Sequence, residues 1–89
     1  MINQFILQEF GNRVRHLRTQ AALSQEKLSF LTGFHRTYIG MIERGERNIS
    51  LTHILVFAKA FEMDASKLLD FKNQNSKISF TDYQFKTED

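Results

Sequence analysis

The chain has 89 residues, of which 42% are hydrophobic and 25% are charged, and its formal net charge is +2. This length and composition suit one small folded domain and exclude an intrinsically disordered chain. The absence of cysteine excludes disulfides and thiolate zinc sites and favours the cytoplasm, while the lack of a long apolar run or a signal-peptide pattern excludes the membrane and secreted classes.

The first two predicted helices follow from spacing and capping. The absence of proline and the small number of glycines, only four, indicate a mostly helical chain, because small strand-rich domains usually need more turn residues. Helix one is predicted from apolar residues three or four positions apart, which are Phe10, Val14, Leu17 and Ala21. A shorter second helix is predicted from an N-cap at Ser24 and an acidic first turn at Glu26. Leu28 and Leu31 are expected to face inward, and a left-handed turn is expected at Gly33.

The third predicted helix lies in the segment HRTYIGMIERG, which ends at Gly45. Ile39 and Ile42 lie three positions apart and are expected to face the core. The other sides of this helix carry Arg36, Thr37, Gly40, Met41 and Arg44. Two short helices joined by a glycine turn, with polar residues exposed on the second, are typical of a helix-turn-helix.

Two more helices are predicted after this motif. Ser50 is the expected N-cap of the fourth helix. Its inward residues are expected to be Ile54, Leu55, Ala58 and Phe61. Asp64 or Ser66 is the expected N-cap of the fifth helix. Its apolar residues are Leu68, Leu69 and Phe71. The predicted fold class is therefore all-α, with five helices in a domain that spans residues 1–72.

Residues 73–89 form a C-terminal tail of different character. Ile78 and Phe80 alternate with polar residues, which predicts a short extended segment. The same alternation recurs at Tyr83 and Phe85. Because an isolated strand is unstable, the tail is expected to pair with another edge. A contact with the tail of a second chain is favoured, and folding over the core of the same chain is the alternative.

Charge is concentrated in the first two thirds of the chain. Between Gly11 and Lys59, basic residues outnumber acidic ones by five, whereas residues 60–89 carry an excess of two acidic residues. A positive face suits a polyanion such as DNA, although solvated arginine and lysine residues are common on protein surfaces. Charge alone leaves both interpretations open.

Residues 10–69 resemble the Cro and phage-repressor class of helix-turn-helix domains. The matching positions are Gln25, Ser29, Gly33, Ile39, Ile42 and the IERG segment. Ser29 stands where the family more often has alanine, and both residues are small enough for close helix packing. Within this class, RTYIGMIERGERN is most similar to the controller proteins of restriction-modification systems. The resemblance implies a phage-repressor-like fold and a small dimeric regulator that reads an operator and switches from activation to repression.

The start of helix three is the expected base-reading element. A helix N-terminus in the major groove presents its first-turn side chains to base edges, and Arg36 suits guanine O6 and N7. Thr37 offers a hydroxyl to a base or a methyl group to thymine, and Met41 offers an apolar contact. Tyr38 is a candidate for a phosphate or groove-shape contact, with partly buried packing as the alternative.

Other residues are expected to contact the DNA backbone. The resemblance implies that Gln25, at the positive end of helix two, brings its amide to a phosphate. His35 is a weaker candidate, either as a donor to phosphate or as a partner that holds Gln25. Arg44, Arg47 and Asn48 form a polar loop suited to the sugar-phosphate backbone. The resemblance implies that a loop arginine also reaches a base.

Two further residues of the motif region are expected to be structural. The resemblance implies that Arg18 pairs with Glu43 and fixes helix three to the scaffold, which also removes a free carboxylate from a DNA-facing surface. Gly40 costs about 1 kcal/mol of helix stability relative to alanine, so we expect close approach of a neighbouring helix or of DNA at that position.

The predicted function is that of a sequence-specific DNA-binding transcriptional regulator, a homodimer on a roughly palindromic operator in double-stranded DNA. The alternative is an antitoxin or adaptor whose helix-turn-helix binds a protein; a toxin or polymerase partner stays open. No enzyme, cofactor or metal site is expected, because His16, His35 and His53 lack metal-ligand spacing and no glycine-rich phosphate loop is present. Glu43 and Glu46 are close in sequence, but no catalytic pocket accompanies them.

Overall fold

The computed structural model describes residues 4–71 of the chain. In this part of the chain there are five α-helices and no strand; the helices are α1 (Gln4–Gln20), α2 (Gln25–Thr32), α3 (Arg36–Glu43), α4 (Leu51–Ala60) and α5 (Ala65–Leu68). The all-α, five-helix prediction is confirmed over these residues. None of the five helices has the length and apolar character needed to cross a bilayer. The extended segments predicted in the tail lie outside the described residues.

Serine side chains cap two of the helices. Ser24 Oγ accepts a hydrogen bond from the Lys27 backbone N–H at 3.0 Å, and Ser50 Oγ accepts one from the His53 backbone N–H at 3.2 Å. Each cap satisfies an N–H group that has no partner within its helix, which is worth about 1 kcal/mol. Both N-cap predictions are confirmed. Asp64 is the N-cap residue of α5, as one of the two predicted alternatives had it, but its side chain makes no cap bond.

The turn between α2 and α3 depends on Gly33. Its φ of 79° lies in the left-handed region, where a Cβ atom is strained, and its backbone N–H donates to Ser29 O at 2.8 Å. The Phe34 backbone N–H then donates to Thr32 Oγ1 at 3.1 Å. The predicted left-handed turn is confirmed, and it sets the direction in which α3 leaves α2.

A single apolar core joins the helices of the described region. Its largest fully enclosed side chains are Phe57, Leu28, Ile39, Ile42, Leu68 and Val14. Enclosing a side chain of this size is worth about 1.5–3 kcal/mol relative to leaving it exposed. Phe57 is the aromatic centre, since its ring packs against those of Phe10, Phe34 and Phe61. The spacing in the sequence indicated Phe61 as an inward residue of the fourth helix but did not indicate Phe57.

Four of the apolar residues that were named for the predicted helices are exposed: Ala21, Leu31, Leu55 and Leu69. Ala21 and Leu69 follow the last residues of α1 and α5, so the helical spacing no longer applies to them. Leu31 and Leu55 lie on short helices, each of which buries only one or two residues along one side. On α2 the buried residue is Leu28, and on α4 the buried residues are Phe57 and Ala58.

The short helix α5 is held by a buried arginine of α1. Arg13 is 7% exposed, and its guanidinium donates to Leu68 O at 3.0 Å and to Lys67 O at 2.8 Å. These carbonyls belong to the last turn of α5, where no partner exists within the helix. Arg13 therefore contributes to the fold rather than to a cationic surface.

Gly11 allows α1 to pack directly on α3. A Cβ atom at Gly11 would collide with the backbone oxygen of Ile42 and would lie 2.7 Å from the backbone oxygen of Glu43. At Gly40, by contrast, a Cβ atom would meet only flexible side-chain ends, with Arg44 Nη1 at 3.1 Å and Gln25 Oε1 at 3.5 Å. The neighbouring helix α2 approaches Gly40 through the Gln25 side chain, whereas the tight approach between helix backbones is at Gly11. A contact of DNA at Gly40 stays a prediction.

We predict opposite effects of alanine at these two glycines. Gly11→Ala is expected to lower the free energy of unfolding by about 1–3 kcal/mol, since two helix backbones must move apart. Gly40→Ala is expected to leave stability unchanged or to raise it by up to about 1 kcal/mol through helix propensity. Urea unfolding followed by circular dichroism measures both values. Equal losses at both positions would contradict this assignment.

Candidate nucleic-acid interface

The inner side of α3 is fixed by the core. Ile39 is 0% exposed and Ile42 is 1% exposed, and both belong to the cluster that contains Leu28 of α2. Because two residues three positions apart are enclosed, α3 cannot rotate about its axis without opening the core. The opposite side of α3 is therefore held outward by packing.

Arg36 and Thr37 occupy the first turn of α3, and both are exposed. The Arg36 guanidinium forms no ion pair or hydrogen bond with any group of residues 4–71, so its N–H donors face solvent. The positive end of the helix dipole lies at the same place. The arrangement presents a forked donor and a hydroxyl on a rigid helix end, which the DNA-reading hypothesis requires.

His35 is the N-cap residue of α3. Its Nδ1 accepts a hydrogen bond from the Thr37 backbone N–H at 3.0 Å, so Nδ1 carries no proton and Nε2 is the donor of the neutral ring. Among the described residues, no hydrogen bond joins His35 to Gln25, whose amide donates to Glu43. His35 instead sets the start of α3, one residue before Arg36.

The buried side chain of Glu43 in α3 hydrogen-bonds to residues of both α1 and α2. Its carboxylate accepts from Arg18 Nε at 2.6 Å and from Arg18 Nη2 at 3.0 Å, and the two side chains are 4% and 13% exposed. A third bond comes from Gln25 Nε2 at 3.1 Å. Arg18 also donates to Leu23 O at 2.9 Å. The hydrogen bond with Glu43 raises the pKa of Arg18, against the opposing effect of burial.

The Gln25 amide is therefore oriented by α3. One of its two N–H groups is used on Glu43, and the second stays available as a donor. The pairing of Arg18 with Glu43 that the resemblance implied is present in the structure. The additional bond from Gln25 to Glu43 was not expected, since the predicted partners of this amide were a phosphate and His35.

Arg44 and Glu46 form an exposed pair at the end of α3. Arg44 Nε donates to Glu46 Oε2 at 2.8 Å, and Arg44 Nη2 donates to Glu46 Oε1 at 3.2 Å. This hydrogen bonding raises the pKa of Arg44 and lowers the pKa of Glu46. The arginine predicted to contact the DNA backbone thus already binds a carboxylate. The sequence did not predict this pairing of Glu46 with Arg44.

Arg47 is placed differently from Arg44. Its guanidinium carbon lies 5.5 Å from the centre of the Tyr38 ring, and its Nη1 lies 3.9 Å from the Met41 sulfur. Within residues 4–71 it forms no ion pair with a carboxylate. Asn48, the third predicted loop residue, is exposed beside it in sequence. In this loop Arg44 is paired with the Glu46 carboxylate, whereas Arg47 lies over the Tyr38 ring.

Tyr38 and Met41 are both partly buried. The Tyr38 hydroxyl lies 2.8 Å from His53 Nδ1, and its ring packs edge-on against Phe34 with centroids 5.1 Å apart. Burial raises the pKa of Tyr38, against the opposing charge of Arg47. The alternative of partly buried packing thus describes Tyr38 in the free protein. His53 entered the sequence analysis only as a histidine without metal spacing, and no sequence signal linked it to this site.

The fold and this site define a small helix-turn-helix domain with an exposed polar recognition helix, and comparison with known proteins agrees. Residues 14–68 match the family described as helix-turn-helix, and the chain belongs to this family. It is 49% identical over 63 residues to control protein C.BamHI of Bacillus amyloliquefaciens, covering 70% of this chain and 78% of the relative.

Two solved structures of restriction-modification controller proteins show the same fold. C.AhdI from Aeromonas hydrophila is 50% identical with a TM-score of 0.67, covering 70% of this chain and 94% of that one. C.Esp1396I, solved as a tetramer in complex with its natural 35-base-pair operator, is 26% identical with a TM-score of 0.67, covering 73% of this chain and 90% of that one. The resemblance inferred from sequence is confirmed.

We predict that Glu43→Ala acts mainly on stability. Truncation leaves the Arg18 guanidinium largely enclosed without its carboxylate, which costs about 3–5 kcal/mol for a buried pair. The expected result is a large fall in melting temperature, measured by calorimetry, with the ranking of DNA sequences unchanged in the fraction that stays folded. Glu62→Ala, at an exposed glutamate after α4, is the matched control and should change the melting temperature little. An unchanged melting temperature with lost sequence preference would refute the structural role.

Proposed function

We propose that the chain is a sequence-specific DNA-binding transcriptional regulator that binds a roughly palindromic operator as a homodimer and controls a restriction-modification system. The observation that carries this proposal is the exposure of Arg36 and Thr37 on a helix whose other side is enclosed in the core. The likeness to controller proteins, one of them solved on its operator, supports it.

In this proposal the N-terminal turn of α3 enters the major groove. Arg36 donates to O6 and N7 of a guanine, and Thr37 contacts a neighbouring base edge. Met41 lies one turn further along the same helix and adds an apolar contact. These residues supply the sequence preference because base edges differ in the major groove, whereas phosphates are the same everywhere.

The remaining predicted residues hold the domain on the DNA backbone. Gln25 keeps one amide N–H for a phosphate, and Arg47 and Asn48 lie in the loop after α3. Arg44 reaches a phosphate by exchanging its Glu46 partner for the DNA. His35 contributes through its capping of α3 and through the Nε2 donor of its ring.

A homodimer has two-fold symmetry, so the operator that it binds is expected to be roughly palindromic. Leu51 is 71% exposed and Leu55 is 52% exposed, one turn apart on α4, and a second copy of the chain would cover this apolar strip. Two copies of α3 would then lie in successive major grooves about 34 Å apart on one face of the duplex.

The protein-binding alternative is not favoured. The relatives C.BamHI and C.SmaI are control proteins rather than antitoxins, and the Arg36 donors face solvent as a base reader requires. We likewise propose a non-catalytic role in the cytoplasm, where the DNA of a restriction-modification system is reached. A contact with polymerase during activation is compatible with this function.

Selection of bound oligonucleotides from a random pool tests the proposed function. We expect enrichment of a symmetric motif whose half-sites are about 10 base pairs apart, centre to centre. Binding to the enriched sequence should weaken steeply with salt, with a log–log slope of several units, because each neutralised phosphate contributes about 0.9. A pool without enrichment, or a flat salt response, would reject the proposal and return the protein-binding alternative.

We predict that Arg36 and Arg47 differ in sequence discrimination. Arg36→Ala should weaken binding to the selected operator by about 1–3 kcal/mol and leave binding to random DNA nearly unchanged. Arg47→Ala should weaken both alike and lower the magnitude of the salt slope by about one unit. Fluorescence anisotropy titrations on the two DNAs measure these losses. If Arg36→Ala weakens both DNAs equally, Arg36 is a backbone contact.

We predict that removing the acid beside Arg44 strengthens binding. Glu46→Gln replaces the charge-assisted bonds of Arg44 by, at most, a weaker bond to a neutral amide oxygen, so less is lost when the guanidinium moves to a phosphate. Glu62→Gln removes the same charge from the turn after α4 and controls for the general change in electrostatic attraction. Titrations at one salt concentration should show a larger gain for Glu46→Gln than for Glu62→Gln. Equal gains would mean that the Arg44–Glu46 pair has no specific effect on binding.

A further inference from the structure

A chain of contacts links α4 to the exposed side of α3. His53 Nδ1 and the Tyr38 hydroxyl are 2.8 Å apart, and the two rings meet edge-on with centroids 5.4 Å apart. The other side of this tyrosine supports Arg47, whose guanidinium carbon lies 5.5 Å from the ring centre. The order of contact is therefore His53, Tyr38, Arg47, from the scaffold to the loop.

His53 is itself fixed on two sides. Its backbone N–H is held by the Ser50 cap at 3.2 Å, so the residue lies in the first turn of α4, where the helix is anchored. Its ring packs on Phe34 with centroids 4.6 Å apart, and Phe34 in turn contacts the central Phe57. The His53 imidazole is therefore held in place by aromatic residues of the core, with its Nδ1 atom next to the Tyr38 hydroxyl.

This arrangement determines what Tyr38 can do. The bond to His53 turns the hydroxyl towards α4, which leaves the ring available to Arg47. A cation over a tyrosine ring gains about 0.5–1 kcal/mol at an exposed site. Arg47 has no carboxylate partner within residues 4–71, so the ring and the Met41 sulfur are the groups that restrain its side chain.

We propose that His53 is a positioning residue for DNA binding, which acts through Tyr38 to hold the Arg47 guanidinium beside α3. The proposal rests on the proposed function and adds a residue of α4 that does not itself touch DNA. Preordering a long cationic side chain reduces the conformational entropy lost when it binds a phosphate. Arg44 lies outside this chain of contacts, since its partner is Glu46.

A double-mutant cycle on the full-length chain tests this coupling. His53→Phe keeps a ring against Phe34 and removes the hydrogen bond to Tyr38. With the selected operator as the probe, this variant should bind about two- to fivefold more weakly than the wild type. The loss should vanish in the Arg47→Ala background and persist in the Arg44→Ala background. Tyr38→Phe, which removes only the hydroxyl, should reproduce the loss and guards against a folding defect of His53→Phe.

The outcomes separate the two proposals. A His53→Phe loss of the same size in the Arg47→Ala and Arg44→Ala backgrounds would overturn the positioning role and leave DNA binding intact. Unchanged affinity of both His53→Phe and Tyr38→Phe would overturn it as well. A wild-type chain that binds no selected DNA would instead remove the proposed function, and the positioning role with it. Melting temperatures above the assay temperature verify that each variant is folded.

Discussion

The enclosed carboxylate of Glu43 is the interaction on which the geometry of the site depends. It accepts two hydrogen bonds from Arg18 of α1 and one from Gln25 of α2, and Glu43 itself is the last residue of α3. An isolated buried carboxylate is strongly unfavourable, so the three segments must meet at one place for its charge to be satisfied. The apolar core supplies most of the stability, and this polar centre fixes how α2 and α3 sit relative to α1.

The cations around α3 differ in what restrains them. Arg36 faces solvent, Arg44 is balanced by Glu46, and Arg47 rests on the Tyr38 ring. A sum of charges along the sequence does not distinguish these states, and it also counts Arg13 and Arg18, which serve the fold. The proposed base-reading and backbone-binding roles therefore rest on the partner of each guanidinium rather than on net charge.

Much of the fold was predictable because its signals are local. The caps at Ser24 and Ser50, the left-handed Gly33 and the inward pair Ile39 and Ile42 follow from short-range geometry. What the sequence did not predict depends on contacts between distant residues. The packing at Gly11 needs the crossing of α1 and α3. The bond between Tyr38 and His53 needs α4 beside α3, and the orientation of Leu31 and Leu55 depends on how narrow a stripe each short helix buries.

The central claim is that the first turn of α3 reads the major groove through Arg36. Methylation interference with dimethyl sulfate on the selected operator tests it most directly, since guanine N7 is methylated in the major groove at the position that Arg36 is proposed to contact. The account predicts that methylation of one guanine in each half-site blocks binding of the wild type, and that Arg36→Ala loses this sensitivity at the same guanine. Interference that is unchanged by Arg36→Ala, or absent from every guanine, would contradict it.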